Sequence, residues 1–117
     1  MRRLEVSPDA EHEIDDLLAW SELKFGVRAA DRYRRLIDVA FVDLLSDPDR
    51  PGVGTQPGIP ADLRLYSIRH SRARVPREER VGQPRHVIAF RFDESKVEIV
   101  HLLHDGMDLP GRLKPAD

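Results

Sequence analysis

The sequence contains no cysteine, which excludes disulfide scaffolds, zinc ribbons, thiol catalysis and iron–sulfur clusters. No apolar run approaches the roughly 20 residues of a membrane-spanning helix. The opening Met1-Arg-Arg-Leu-Glu-Val lacks the apolar segment of a secretory signal, because an acidic residue arrives first. A cytoplasmic protein with no membrane partner is therefore expected. Nucleophile motifs are missing too: there is no Gly-x-Ser-x-Gly elbow and no serine in a triad context. Gly52-Val-Gly54-Thr-Gln-Pro57-Gly58 has the glycines of a phosphate loop, but it follows a helical pattern and leads into proline. A dinucleotide fingerprint must instead follow a strand and open a helix. No cofactor is assigned.

What is present is one domain's worth of chain. The 117 residues, 40% hydrophobic and 34% charged, describe a globular domain over 1–117 with one core and a solvated exterior. The net charge of −2 conceals an asymmetry: residues 1–58 carry 8 Lys/Arg against 12 Asp/Glu, and residues 59–117 carry 11 against 9. Between Arg64 and Arg91 eight arginines face only Glu78 and Glu79. Arginine suits carboxylate and phosphate forks and ring stacking, so an acidic partner or a phosphate backbone is one use. A solvated loop balancing the acidic helices is the other.

Leu4-Glu5-Val6 alternates and predicts a short strand. Ser7-Pro8-Asp9 reads as a helix start, with Ser7 as cap, Pro8 in the first turn, and Asp9 and Glu11 at the positive end of the dipole. Ala10, Ile14, Leu17, Leu18 and Ser21 define its buried face, with Glu11, Asp15, Asp16 and Glu22 in solvent; Gly26 ends it. Ala30, Tyr33, Ile37, Ala40, Phe41 and Leu44 repeat the spacing, with Arg32, Arg34, Arg35, Asp38 and Asp43 mostly on the outer side. This second helix is expected to stop at Ser46-Asp47-Pro48. So short a joint makes an antiparallel helical hairpin. The period then falls to two: Leu63–His70, Val87–Phe92 and Val97–Leu103 are strand candidates, the last two joined by Asp93-Glu94-Ser95. Ser71–Arg85 is a long basic connection. The expectation is an α+β domain of order β-α-α-β-β-β, a small antiparallel sheet packed on one face by the hairpin, with its other face open.

Chemistry-bearing residues are few. His101 and His104, three apart on a strand, point to opposite faces and lack a third ligand, so no metal is assigned. Glu11 and Asp15 are explained by the helix dipole. Trp20 flanks the apolar stripe and packs against the second helix or a partner. Arg64, Tyr66, His70, Arg85, His86, Arg91, His101 and His104 form the pool from which acid–base work on RNA would be drawn.

Motif order adds a resemblance. Ser7-Pro8-x-Ala10 opens the first helix, and Phe25-Gly26-x-x-Ala29-Ala30-x-Arg32-Tyr33 opens the second, which stops at Asp47-Pro48. Gly58-Ile-Pro-Ala-Asp-Leu63-Arg64, Arg85-His86-Val87-Ile88 and Val97-Glu-Ile-Val-His-Leu-Leu-His104-Asp105 follow, then Gly106-Met-Asp-Leu-Pro110. Over residues 4–113 this resembles the ParE branch of the RelE/ParE superfamily, the toxins of bacterial type II toxin–antitoxin modules. Ser71–Pro84 is longer than in compact members.

The resemblance implies a toxin neutralised by a cognate antitoxin in a hetero-oligomer, with growth arrest and plasmid stabilisation as its outcomes. ParE-like members inhibit DNA gyrase and catalyse nothing themselves; RelE-like members cut messenger RNA on the ribosome. Scarce lysine and a histidine without a tyrosine at the end of the last strand favour the gyrase branch. The alternatives are a ribosome-dependent endoribonuclease or a degenerate binding module. The expected target-binding set is Arg64, Arg69, His70, Arg85, His86, Arg91, His104 and Asp105. No catalytic residue is assigned; Arg64, Arg91 and His104 are the candidates under the ribonuclease alternative. A groove between hairpin and strands and the open sheet edges suit an antitoxin helix or strand, with Trp20, Leu23, Val27, Tyr33, Ile37 and Phe41 near the contact.

Overall fold

A computed structural model describes residues 2–113. β1 (Arg3–Val6) runs into α1 (Pro8–Phe25), and α2 (Val27–Ser46) follows after a single residue. The Ser7 hydroxyl makes both ends of this entry: it accepts from the Ala10 amide at 3.0 Å and donates to the Val100 carbonyl at 2.7 Å. Gly26 separates the helices at φ 94°, a backbone region that only glycine enters freely. The hairpin and its boundaries are those that the capping residues and apolar spacing predict.

The rest forms β2 (Val53–Gly54), β3 (Arg64–Ser67), β4 (His86–Phe92), β5 (Lys96–His104) and a four-residue α3 (Leu109–Arg112). Two 3₁₀ turns, Ile68–Arg74 and Arg77–Glu79, occupy much of what reads as the basic connection. The strand candidate Leu63–His70 is cut short at Ser67, whose hydroxyl accepts from the Arg69 amide as the chain turns into the first of them. The Asp93 carboxylate closes the β4–β5 hairpin by accepting from the Ser95 amide and hydroxyl and the Lys96 amide.

The five strands lie in the order β1-β5-β4-β3-β2. The sheet is mixed rather than purely antiparallel, because β1 pairs parallel with β5. β1 has no hairpin neighbour in sequence, since Ser7 turns the chain straight into α1, and it takes the free edge of the last strand. Beyond β1 that edge is closed by α1: the Glu13 carboxylate accepts from the Leu102 amide at 3.0 Å and lies 3.1 Å from His101 Nδ1. A register shift leaves Val100 as an extra residue on β5, between His101 opposite Ala89 and Ile99 opposite Phe90.

The main core packs Ile14, Leu36, Ile37, Ala40, Phe41 and Leu44 of the helices against Tyr66, Ile88, Phe90, Val97, Ile99 and Leu102 of the sheet. The opposite sheet face is not open, as the sequence leads one to expect. Leu63, Ala89, Leu103, Leu109 and Leu113 form a second, smaller cluster, joined by Ile59, Leu65 and Val100. The residues ahead of β3 and the short α3 cover this face, because alternation in β4 and β5 leaves apolar side chains on both sides. Asp43 also departs from expectation. It is 2% exposed and lies on the inner side of α2. Its carboxylate accepts from the Ser71 hydroxyl at 2.7 Å and pairs with Arg74 at 2.9 Å and Arg50 at 3.1 Å. The Tyr66 hydroxyl, 2.7 Å from Ser71, extends the network into the core.

Candidate functional site

The arginine-rich segment is largely spent on holding itself together. Arg72 donates to the Val81 carbonyl, Arg80 to those of Val75 and Ala73, and Arg64 to those of Ala61 and Leu63. Arg74 is held by Asp43, Arg85 by Asp105, and Arg91 by Asp62 and Glu98. Among the described residues only Arg69 and Arg77 of the eight have no side-chain partner. Arg64, Arg69 and Arg91 therefore do not form a free cationic face. Arg91 stands five residues beyond His86 on β4, roughly 17 Å along the strand, with Arg64 near the same far end. The ribonuclease candidates Arg64, Arg91 and His104 do not converge.

Four of the sequence-predicted residues do. Arg85 and His86 begin β4, and register pairing sets His86 directly opposite His104 at the end of β5, beside Asp105. The Arg85 guanidinium forks onto Asp105, with Nε 3.0 Å from both carboxylate oxygens and Nη2 2.9 Å from Oδ1. The Asp105 amide returns a bond to the Arg85 carbonyl at 2.7 Å. The hydrogen bond from Arg85 is the main reason that the Asp105 carboxyl is held below the usual carboxylate range. His104 Nδ1 accepts from the Gly106 amide at 2.9 Å, and its ring meets that of His86 edge-on.

Tyr33 joins this group from α2. Its hydroxyl lies 2.6 Å from His86 Nδ1 and accepts from the Arg85 amide at 3.3 Å. The oxygen can accept from the amide while the hydroxyl hydrogen donates to a neutral His86 whose proton is on Nε2. Burial first, then the neighbouring His104, pushes the His86 imidazole down to about 4. His86 is accordingly neutral at physiological pH. Burial also raises the Tyr33 phenol above its ordinary value. This geometry pins the hairpin to the sheet; it does not offer a poised acid and base.

Above the pin lies a cavity of about 370 Å³ between the hairpin and the residue 80–86 loop. Leu17, Trp20, Phe25, Ala29 and Val81 supply apolar wall, and Arg32, Arg80 and Arg85 supply cations. The hairpin tip next to it leaves large apolar side chains in water: Trp20 is 52% exposed, Leu23 82%, Phe25 68% and Val27 59%. Phe25 belongs to the motif that opens the second helix but is not among the expected antitoxin contacts; its place beside the helix-breaking Gly26 is the available signal. Of the six expected antitoxin contacts, Trp20, Leu23 and Val27 lie on this surface and Tyr33 at the cavity floor. Ile37 and Phe41 are core residues, 2% and 8% exposed, and present no surface to a partner.

Arg69 and His70 line a second, polar groove with Ser67, Thr55 and Asp105. The His70 imidazole is lowered by burial and then by Arg69 and Arg50. Among the described residues no group of three or more His, Asp or Glu side chains is placed to hold a metal ion, and no helix is long and apolar enough to cross a membrane.

Comparison with known proteins bears on these features. The family model described as the ParE toxin of type II toxin–antitoxin system, parDE, matches residues 4–109. A solved structure, the chromosomal ParDE toxin–antitoxin system from P. aeruginosa, matches with a TM-score of 0.62 at 16% identity. The alignment covers 89% of this chain and 96% of that one. At that identity the likeness is one of fold. No curated protein matches the sequence.

Proposed function

The chain belongs to the ParE toxin family of type II toxin–antitoxin systems, and on that premise we propose that it is a toxin that inhibits DNA gyrase and is neutralised by a cognate antitoxin. The observation that carries the antitoxin part is the hairpin tip. Trp20, Leu23, Phe25 and Val27 crowd large apolar surface at one end of the molecule, beside a cavity. Contiguous exposed apolar surface of this kind marks an interaction site. An amphipathic antitoxin helix laid along it covers that surface, and β1 and β2, the terminal strands of the sheet, offer edges for strand addition.

Gyrase is favoured over RNA cleavage by the state of the Tyr33–His86 cluster. A general acid–base pair needs ionisation near the working pH and access to the reacting atoms. His86 is neutral with Nδ1 taken by Tyr33, and the Arg85 charge is committed to Asp105. The remaining set of Arg69, His70, Arg85, His86, His104 and Asp105 gathers around one end of the sheet and is the proposed target-binding surface.

Purified protein added to gyrase is expected to inhibit supercoiling and accumulate cleaved plasmid, while leaving ribosome-bound message intact. Message cleavage that is lost in His104→Ala or Arg64→Ala, with gyrase unaffected, would establish the ribonuclease instead. Expression of the chain alone is expected to arrest growth, and co-expression with the adjacent upstream reading frame to restore it. Normal growth without that neighbour would mark a degenerate binding module.

A further inference from the structure

We propose that the cavity between the hairpin and the residue 80–86 loop is an anchor pocket that takes one aromatic or branched apolar side chain of the antitoxin, with a carboxylate of the same segment at its mouth. The proposal rests on the antitoxin reading and adds the chemistry of the contact.

The first observation is shape. A volume of about 370 Å³ falls in the range of roughly 300–1,000 Å³ typical of ligand pockets. It is walled by Leu17, Trp20, Phe25 and Val81, and closed below by Tyr33 and His86. The floor is fixed in place, because Tyr33 is bonded to both His86 and the Arg85 amide. Trp20 and Phe25 meet edge-on at 79° with centroids 5.6 Å apart. They therefore form a corner, which suits a single side chain, and present no parallel faces between which a nucleobase would stack.

The second observation is charge. Arg32, Arg80 and Arg85 line the cavity, and among the described residues no carboxylate does. Arg85 is already neutralised by Asp105, while Arg32 has no side-chain partner among the described residues. An apolar pocket with an uncompensated guanidinium at its mouth selects an apolar group that carries a negative charge close by. The occupant is thus an acidic amphipathic segment rather than a neutral or basic one.

Two variants probe the two features. Ala29→Trp fills the cavity from the start of α2, and Arg32→Glu inverts the charge at an exposed site. The first probe is 3-phenylpropionate, titrated against the Trp20 indole N–H and the His86 and His104 ring resonances by NMR. It is expected to bind about three- to fivefold more tightly than 3-phenylpropionamide, the increment of an exposed ion pair. Arg32→Glu should abolish that preference, and Ala29→Trp should abolish binding of both. Equal binding of acid and amide, no response at the three resonances, or tighter binding of 5′-AMP than of the acid would each overturn the proposal.

The second probe is the product of the adjacent reading frame. Its affinity is expected to fall about tenfold or more in each variant, with thermal melts showing that both remain folded. Rescue of growth by the wild-type pair with unchanged affinity in both variants overturns this inference alone. Absence of rescue by the wild-type pair overturns the antitoxin reading and the occupant with it.

Discussion

Tyr33 and His86 are joined by a 2.6 Å hydrogen bond that fastens the early turns of α2 to the first residue of β4. The same phenol oxygen accepts from the Arg85 amide, so one side chain fixes the hairpin, the sheet and the end of the basic connection. Tyr33→Phe removes both bonds and leaves the Arg85 amide and the His86 Nδ1 without this partner. A loss of about 1–2 kcal/mol is expected, at about 1 kcal/mol per bond, read from urea unfolding of the purified protein.

His86 sets a pH dependence. Its folded-state value of about 4 lies below the ordinary 6.5, so the unfolded chain binds the proton more readily. The stability from a neutral His86 is fully present above pH 6.5 and is lost as pH falls toward 4. For a partly exposed ring the loss should be about 1–2 kcal/mol, below the nominal 1.36 kcal/mol per unit after allowance for solvent screening. His86→Gln should reduce the slope of the stability profile over that window, leaving the share of His70, which is lowered in the same direction. The depressed Asp105 carboxyl acts in the same direction but below its ordinary value of 3.8, outside the window.

Asp43 is especially sensitive to mutation, because it is a charged side chain held at 2% exposure in the core. It accepts from Ser71 and neutralises Arg50 and Arg74. Arg50 is itself largely enclosed, with its guanidinium 5.7 Å from the centroid of the Tyr66 ring. Asp43→Ala strands that charge, and breaking a buried pair in this way costs about 3–5 kcal/mol. Tyr66→Phe, which removes only the hydroxyl at the core end of the network, should cost about 1 kcal/mol. Denaturant midpoints of the two variants should separate accordingly.

These three residues also show what was legible in the sequence. The helices could be read because their signals are local: Ser7 caps, Gly26 breaks, and apolar residues recur every three or four positions. The β4–β5 hairpin was legible for the same reason, with Asp93 supplying the turn. Non-local pairing was not. Nothing near Leu4 announces that β1 will lie parallel to a strand more than 90 residues later, and an aspartate at position 43 looks like any solvent-facing helical residue until Ser71 and Arg74 fold over it. The arginines misled because most of their acceptors are backbone carbonyls or distant carboxylates, which composition does not show. His86 and His104 were both singled out, yet their pairing with each other and with Tyr33 follows from strand register and its bulge, which only the folded chain sets.

Leu23 and Ile37 were expected on the same antitoxin contact, and the structure separates them. Leu23 is 82% exposed at the hairpin tip, whereas Ile37 is 2% exposed and packed in the main core. A surface substitution away from special features changes stability by no more than about 0.5 kcal/mol. Leu23→Asp should therefore melt like the wild type while weakening antitoxin binding, because it places a charge in the apolar surface that the partner covers. A residue near the centre of an interface costs more than about 1 kcal/mol when lost, which is at least a fivefold rise in Kd by titration calorimetry. Ile37→Ala should do the reverse. It opens a cavity beneath the sheet at a cost of about 2–5 kcal/mol, lowering Tm sharply, while the folded fraction binds the antitoxin as tightly as before. If Leu23→Asp binds normally, the contact surface lies elsewhere on the hairpin. If it also unfolds the chain, the tip is part of the core and its exposed appearance has another cause.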